Sequence, residues 1–421
     1  MVSEKDVRWR IVSFLFGLFA AVIRVSAVES ASSLSGAVSG EVKLFATPPD
    51  FTLPWKMTFA PVAGGGQEVI AALEGTGLQL RAAVQINFLT GDGSWRIEDA
   101  QVDPATWLAA VAPKLAPALA GVVAQGAVLV SGGGTIRQGQ PAGRIKVEWR
   151  GGSLTHPAQG WTLEGIAFNG EFALDEGGAR VVSANAFQLT IGTITTTRFG
   201  ARNMYFLGRL NERRAIAVET ARVEIAGGDA MVDPCELPLQ PPSVSANVKI
   251  TRVGLQDIVV LVPAAGLAKA SGRIDGEVRM TWNKAAGFRL GIGHLEFRND
   301  EPAVVRLTPS VGLLTSRVPQ HFDFAPAWLG PVARWLRAEN PAYSDMQDIE
   351  LGKTDLRVTT LMVRLTPEGD KQGHTATVQL VAAPFKTGGV VKKVAFDVNV
   401  SGPLAAVTKL GLEQGFSFGV R

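Results

Sequence analysis

The amino-acid sequence predicts a mostly β protein: an antiparallel sheet built from repeated strand units, with a few short helices. Three observations carry this reading. The chain has 47 glycines and only 19% charged residues in 421 positions, a composition that suits many strands joined by tight turns. Apolar and polar residues alternate with period two in stretch after stretch, as in a sheet with one dry and one wet face. The chain also repeats itself. Val102-Asp103-Pro104-Ala105-Thr106-Trp107-Leu108 stands where Val253-Gly254-Leu255-Gln256-Asp257-Ile258-Val259 stands about 150 residues later, and Gly126-Ala127-Val128-Leu129-Val130 matches Gly276-Glu277-Val278-Arg279-Met280. Such self-similarity says that the fold grows by copying one unit.

Taken in order, the chain opens on Lys5, Arg8 and Arg10, followed by an apolar run from Ile11 to Ile23 and by Val25-Ser26-Ala27. This is the pattern of a signal peptide over residues 1–27. The run is too short for the roughly 20 residues that cross a bilayer. Residues 28–95 read as an N-terminal β cap. Within it Ser30 to Ser39 is a small, polar linker, and Pro48, Pro49 and Pro54 confine Glu41 to Val62 to edge strands. Gly91-Asp92-Gly93 predicts a hairpin turn between Val69–Thr90 and Ser94–Val102. Asp103-Pro104 is an N-cap and first-turn pair for a helix, which Pro113 and Pro117 should break. Gly132-Gly133-Gly134 reads as a turn.

Residues 96–421 read as one repeated β domain. Its clearest strand places Ile145, Val147 and Trp149 on one face against Arg144, Lys146, Glu148 and Arg150 on the other. The same alternation sets Val223 and Ile225 against Arg222 and Glu224, and Val394, Phe396 and Val398 against Lys393, Asp397 and Asn399. Gly272 to Thr281 and Phe288 to Leu295 form a glycine-punctuated strand pair, in which Leu290 and Ile292 share the dry face. Helical spacing is convincing at Ala327 to Ala338, where Trp328, Val332, Trp335 and Leu336 fall on one side. A shorter helical turn, Gln256 to Val262, stops at Pro263.

Little in the chain speaks for chemistry. Gly415-Phe416-Ser417-Phe418-Gly419 is a literal G-x-S-x-G, but only Val420 and Arg421 follow it, so neither the required helix nor a histidine can. His156, His294, His321 and His374 lie far apart without ligand spacing, so no metal site and no cofactor is expected. Cys235 is the only cysteine, which excludes an internal disulfide and reads as a buried, inert thiol. The net charge is +3 with no basic stripe, which argues against a nucleic-acid partner.

The strand, short helix, Gly272-Arg273-Ile274-Asp275-Gly276 strand and Ile292-Gly293-His294-Leu295 ending carry a family resemblance, together with Gly227-Gly228 before Val232-Asp233-Pro234 and the stretch from Val394 to Leu404. From about Trp95 onward the chain resembles the YdbH-like branch of the AsmA/TamB group of bacterial envelope proteins, whose older label is "dicarboxylate transport". The resemblance implies an elongated, curled sheet forming a U-shaped groove that carries phospholipid between inner and outer membranes. Period-two pattern alone leaves a closed sandwich open as the alternative, a structural scaffold of the envelope that binds other proteins.

The expected function is therefore lipid transfer without catalysis, in the periplasm, with phospholipid and a membrane surface or envelope protein as partners. Family members usually keep an N-terminal membrane anchor, and the short apolar run here departs from that. Expected groove-lining residues are Ile145, Val147, Trp149, Val223, Ile225, Leu290, Ile292, Val394, Phe396 and Val398.

Overall fold

The computed structural model describes residues 35–43, 52–63, 66–75, 77–87, 89–115, 120–175, 180–197, 200–239, 241–257, 267–283, 287–324, 337–367, 369, 373–386 and 388–401. The expected signal segment, most of the Ala327 to Ala338 helix and the G-x-S-x-G stretch lie outside them.

In chain order the strands are β1 (Gly36–Lys43), β2 (Thr52–Val62), β3 (Gly66–Gly75), β4 (Leu78–Asn87) and β5 (Asp92–Val102). Helix α1 (Pro104–Leu115) precedes β6 (Val123–Arg137), β7 (Gln140–His156), β8 (Trp161–Leu174), β9 (Val181–Ser183), β10 (Phe187–Thr195), β11 (Gly200–Leu210) and β12 (Ala215–Ile225). There follow β13 (Gly228–Val232), β14 (Cys235–Pro238), β15 (Ser243–Gly254), β16 (Leu267–Ser271), β17 (Arg273–Asn283), β18 (Gly287–Phe297) and β19 (Val304–Leu307). The chain ends on β20 (His321–Asp323), β21 (Arg337–Glu339), helix α2 (Pro341–Glu350), β22 (Leu356–Leu365), β23 (His374–Pro384) and β24 (Val394–Ser401). Among the described residues twenty-two strands form one antiparallel sheet, and β20 with β21 makes a separate ribbon. The mostly β, antiparallel expectation holds. By contact the chain divides into two compact units, one running to Ala221 with Glu236–Pro241 and the other comprising Arg222–Cys235 and the residues after Pro242.

In the first unit β2 to β8 pair in sequence order, as expected of a meander of tight turns. Their register lays Met57, Ala71, Ala82, Ile97, Gly132, Ile145 and Phe172 in one row across seven strands. Paired residues of an antiparallel ladder share a face, so the row is a continuous apolar band. Beside it Met57, Val69, Val84, Ile86, Trp95, Ile136 and Leu174 form a buried cluster. Each fully buried aliphatic side chain of this kind stabilises the fold by about 1.5–3 kcal/mol.

The stretch expected as one strand over Val69–Thr90 is divided at Gly75–Gly77 into β3 and β4. Gly132, Gly133 and Gly134 are not a turn, because they lie inside β6. A Cβ on Gly134 would stand 1.9 Å from the Ala142 oxygen, and the Trp95 indole lies against Gly143 and donates to that same oxygen at 3.1 Å. The glycines serve close strand approach beneath a tryptophan rather than chain reversal.

Helix α1 starts as its sequence dictates. The Asp103 carboxylate accepts from the Ala105 and Thr106 amides at 3.1 and 3.3 Å and from the Thr106 hydroxyl at 2.6 Å. The Thr106 hydroxyl bond, ahead of the two amides, holds the Asp103 carboxyl below its ordinary range against the opposing effect of burial. The helix continues through Pro113 to Leu115 instead of breaking there. Trp107 packs on Leu53, Leu73 and Leu78.

In the second unit β13, β15, β17, β18, β22, β23 and β24 carry two parallel apolar rows. One is Val232, Val248, Val278, Gly293, Leu365, Ala376 and Val400; the next is Ala230, Ile250, Gly276, Leu295, Val363, Val378 and Val398. The row between them is Met231, Lys249, Glu277, His294, Arg364, Thr377 and Asn399. Period two in seven separate segments thus yields one dry and one wet face.

Helix α2 had no expectation attached to it. Asn340 caps it by accepting from the Ala342 amide at 3.0 Å, with Pro341 at its first position. The helix anchors two loops with two buried carboxylates. Asp345 accepts from Lys386 Nζ at 2.9 Å and the Val390 amide at 2.7 Å. Glu350, 1% exposed, accepts from the Leu314 amide at 2.9 Å, the Thr315 amide at 3.1 Å and the Thr315 hydroxyl at 2.8 Å. Of the helix expected at Ala327 to Ala338, the described end, Arg337 and Ala338, is strand β21. The turn expected at Gln256 to Val262 is described only at its start, where Leu255–Asp257 is helical.

Candidate functional site

The residues that stand out are apolar and lie on the dry face. In the first unit the register of β6, β7, β8, β10 and β11 aligns Val128, Trp149, Phe168, Leu189 and Phe206 in one row. Alternation puts them there: Ile166, Phe168, Gly170, Phe172 and Leu174 occupy every second place on β8, as do Phe187, Leu189 and Ile191 on β10. Phe187 is buried among Phe168, Phe172 and Phe206, with ring centroids 5.7, 6.4 and 5.8 Å away, the last pair stacked at 21°. Gly170 and Gly208 leave the room this cluster needs, since a Cβ on either would meet a phenylalanine ring at 2.9 Å.

The aromatic row is half-buried, with Val128, Trp149, Phe168, Leu189 and Phe206 all of intermediate exposure. Single exposed apolar side chains are ordinary on a protein surface, whereas a contiguous apolar band marks a place where something apolar can lie. Each aromatic side chain presents 150–250 Å² or so, and dispersion contacts with an alkyl chain need no polar partner. The opposite face is neutralised by its own charges. Glu148 pairs with Lys146 and Arg150, Arg144 with Glu171 at 3.3 Å, and Arg81 with Glu98 at 2.8 Å. The face pattern alone therefore separates an apolar surface from a salt-bridged one.

Of the expected lining residues, Ile145, Val147 and Trp149 alternate as read and stand half-buried on the dry face of β7, where Ile145 packs on the Trp95 cluster. Val223 and Ile225 alternate with exposed Arg222 and Glu224 on β12, and Ile225 packs on the core that includes Val253, Ile274 and Leu356. Val394 and Phe396 pack on that same core, and Val398 lies in register with Val378. Leu290 packs against Val278 and Leu365. Ile292 is a correction. A β-bulge between Val278/Gly293 and Met280/Leu290 inserts an extra residue on β18, which shifts the alternation and leaves Ile292 73% exposed.

The phenylalanines of β8, β10 and β11 were missed, although the signal was present. Gly170 interrupts the apolar run of β8, and Thr193 takes the place after Ile191 in that of β10, so neither stretch stands out beside Arg144–Arg150. Cys235 is half-buried rather than buried, and burial followed by the nearby Asp233 charge raises its thiol pKa, so little thiolate forms at neutral pH.

Residues 5–329 match a family model described as YdbH-like, Intermembrane phospholipid transport protein YdbH. No curated protein and no solved structure matches the chain.

Proposed function

The chain belongs to the YdbH-like family of intermembrane phospholipid transport proteins, and from that premise we propose that its dry face shields phospholipid acyl chains during transfer. The observation that carries the reading is the half-buried row of Val128, Trp149, Phe168, Leu189 and Phe206. An acyl chain laid on this row trades water for apolar contact at about 25 cal/mol per Å². The phosphate-bearing end stays in water, where it needs no protein counter-charge. Nothing in this process makes or breaks a bond, so the protein acts as a carrier rather than a catalyst.

The family places the chain in the cell envelope, and no helix among the described residues is long and apolar enough to cross a membrane. Work in the periplasm after export by residues 1–27, with contact to a membrane surface or an envelope protein at each end of the path, completes the proposal. The groove that holds the lipid is the dry face within each unit, including the expected Ile145, Val147, Trp149, Val223, Ile225, Leu290, Val394, Phe396 and Val398.

Mass spectrometry of lipid extracted from the purified full chain tests the reading. Co-purifying phospholipid is expected, with less recovered from Val147→Asp than from Lys146→Thr. Absence of phospholipid, where a known lipid carrier prepared alongside retains its own, would contradict it.

A further inference from the structure

We infer that the wet face of the second unit holds an anion site for a phosphodiester group, in a pocket across β22, β23 and β24. The pocket is lined by Arg364, Thr366, His374, Thr377, Gln379 and Asn399, with the Met362 side chain as its apolar wall. The register explains the convergence, because Arg364, Thr377 and Asn399 are direct neighbours on adjacent strands, and Met362 and Gln379 form the next row.

The Thr366 hydroxyl donates to the His374 carbonyl at 2.8 Å, and four other polar side chains of the pocket are uncommitted. Among the described residues Arg364 makes no ion pair, and the side chains of Thr377, Gln379 and Asn399 make no hydrogen bond. This contrasts with other arginines of the same unit: Arg252 holds Glu301 at 3.0 Å, Arg298 holds Asp275 at 2.9 Å and Arg306 holds Asp355 at 2.6 Å. No carboxylate lines the pocket. A guanidinium beside hydroxyl and amide donors matches the planar oxygen pairs of a phosphate group.

The surroundings set the charge of the occupant. Asp397 lies opposite Gln379 and Glu296 opposite Met362, so carboxylates border the site on the same face. One cation bordered by carboxylates favours a singly charged phosphodiester over a phosphate monoester, which carries about −1.5 to −2 at neutral pH. A phosphodiester can reach the site free in solution or as a lipid head group. The site lies on the wet face of the second unit and stands whether or not the dry face carries lipid.

Calorimetric titration of the full chain with dimethyl phosphate, at constant ionic strength set with sodium chloride, tests the site. Saturable binding is expected, weakened at least tenfold in Arg364→Gln with unchanged Tm, and unaffected in Arg202→Gln, which removes an exposed arginine of the first unit. Flotation with vesicles of phosphatidylglycerol in phosphatidylcholine distinguishes the sources. Retention that falls in Arg364→Gln assigns the diester to a lipid head group, and retention independent of Arg364 assigns it to a soluble compound. No saturable dimethyl phosphate binding, or equal affinity in Arg364→Gln, overturns the site.

Discussion

Leu290 and Ile292 stand two residues apart on β18, yet one packs against Val278 and Leu365 while the other is 73% exposed. Strict alternation would put both on one face, and the bulge beside them separates them. An aspartate at Leu290 would lose its hydration among apolar neighbours, whereas one at Ile292 stays wet. Leu290→Asp should therefore cost at least about 2 kcal/mol of unfolding free energy, and Ile292→Asp should stay within about 0.5 kcal/mol of the parent. Urea unfolding of the two variants checks this; equal losses would mean that the bulge does not turn Ile292 outward.

Close strand approach at the β6–β7 ladder gives a second expectation. Gly134→Ala would drive a methyl into the Ala142 carbonyl, whereas Gly192→Ala meets nothing nearer than the Glu164 oxygen at 3.4 Å. The first should lose roughly 1–3 kcal/mol and the second should be nearly neutral. Thermal melts of the pair settle it, and a tolerant Gly134 would return the glycine run to being a simple flexible segment.

Much of the fold was legible for a physical reason. Charged residues on the solvent face of β7 leave Ile145, Val147 and Trp149 no ambiguity, and Asp103-Pro104 marks a helix start with its own hydrogen bonds. Legibility failed where tertiary contact overrides local pattern. Gly132 to Gly134 resemble a turn until the neighbouring carbonyl and Trp95 are in place. The shift at Ile292 comes from a bulge that no local preference announces. The aromatic cluster around Phe187 lies on three strands, and only the register of those strands brings its rings together.

Glu350 makes the third expectation, one of pH. Burial raises its carboxyl pKa, but the hydrogen bonds from Leu314, Thr315 and the neighbouring Gly312 outweigh burial and lower it overall. A depressed folded-state pKa stabilises the protein above the unfolded-state value, and that contribution is lost as pH falls through the folded-state value. Glu350→Gln should therefore be less stable than the parent at pH 7, by about 1.5–3 kcal/mol for lost charge-assisted bonds. The gap should shrink as pH is taken below the ordinary glutamate range. Urea midpoints of both proteins from pH 7 to pH 3 measure it, and a gap that widens on acidification would reverse the assigned sign.

The central claim, that acyl chains lie on the dry face, is tested most directly by photocrosslinking in the full chain. A benzophenone amino acid is placed singly at Trp149, Phe168 or Phe206, and for comparison at the exposed Ala167 and Lys146 beside them. Each protein is irradiated with phospholipid in the membrane preparation. Phospholipid adducts are expected from the three dry-face positions and few or none from the two wet-face positions. Equal labelling of both faces, or adducts confined to Ala167 and Lys146 in correctly folded protein, would contradict it.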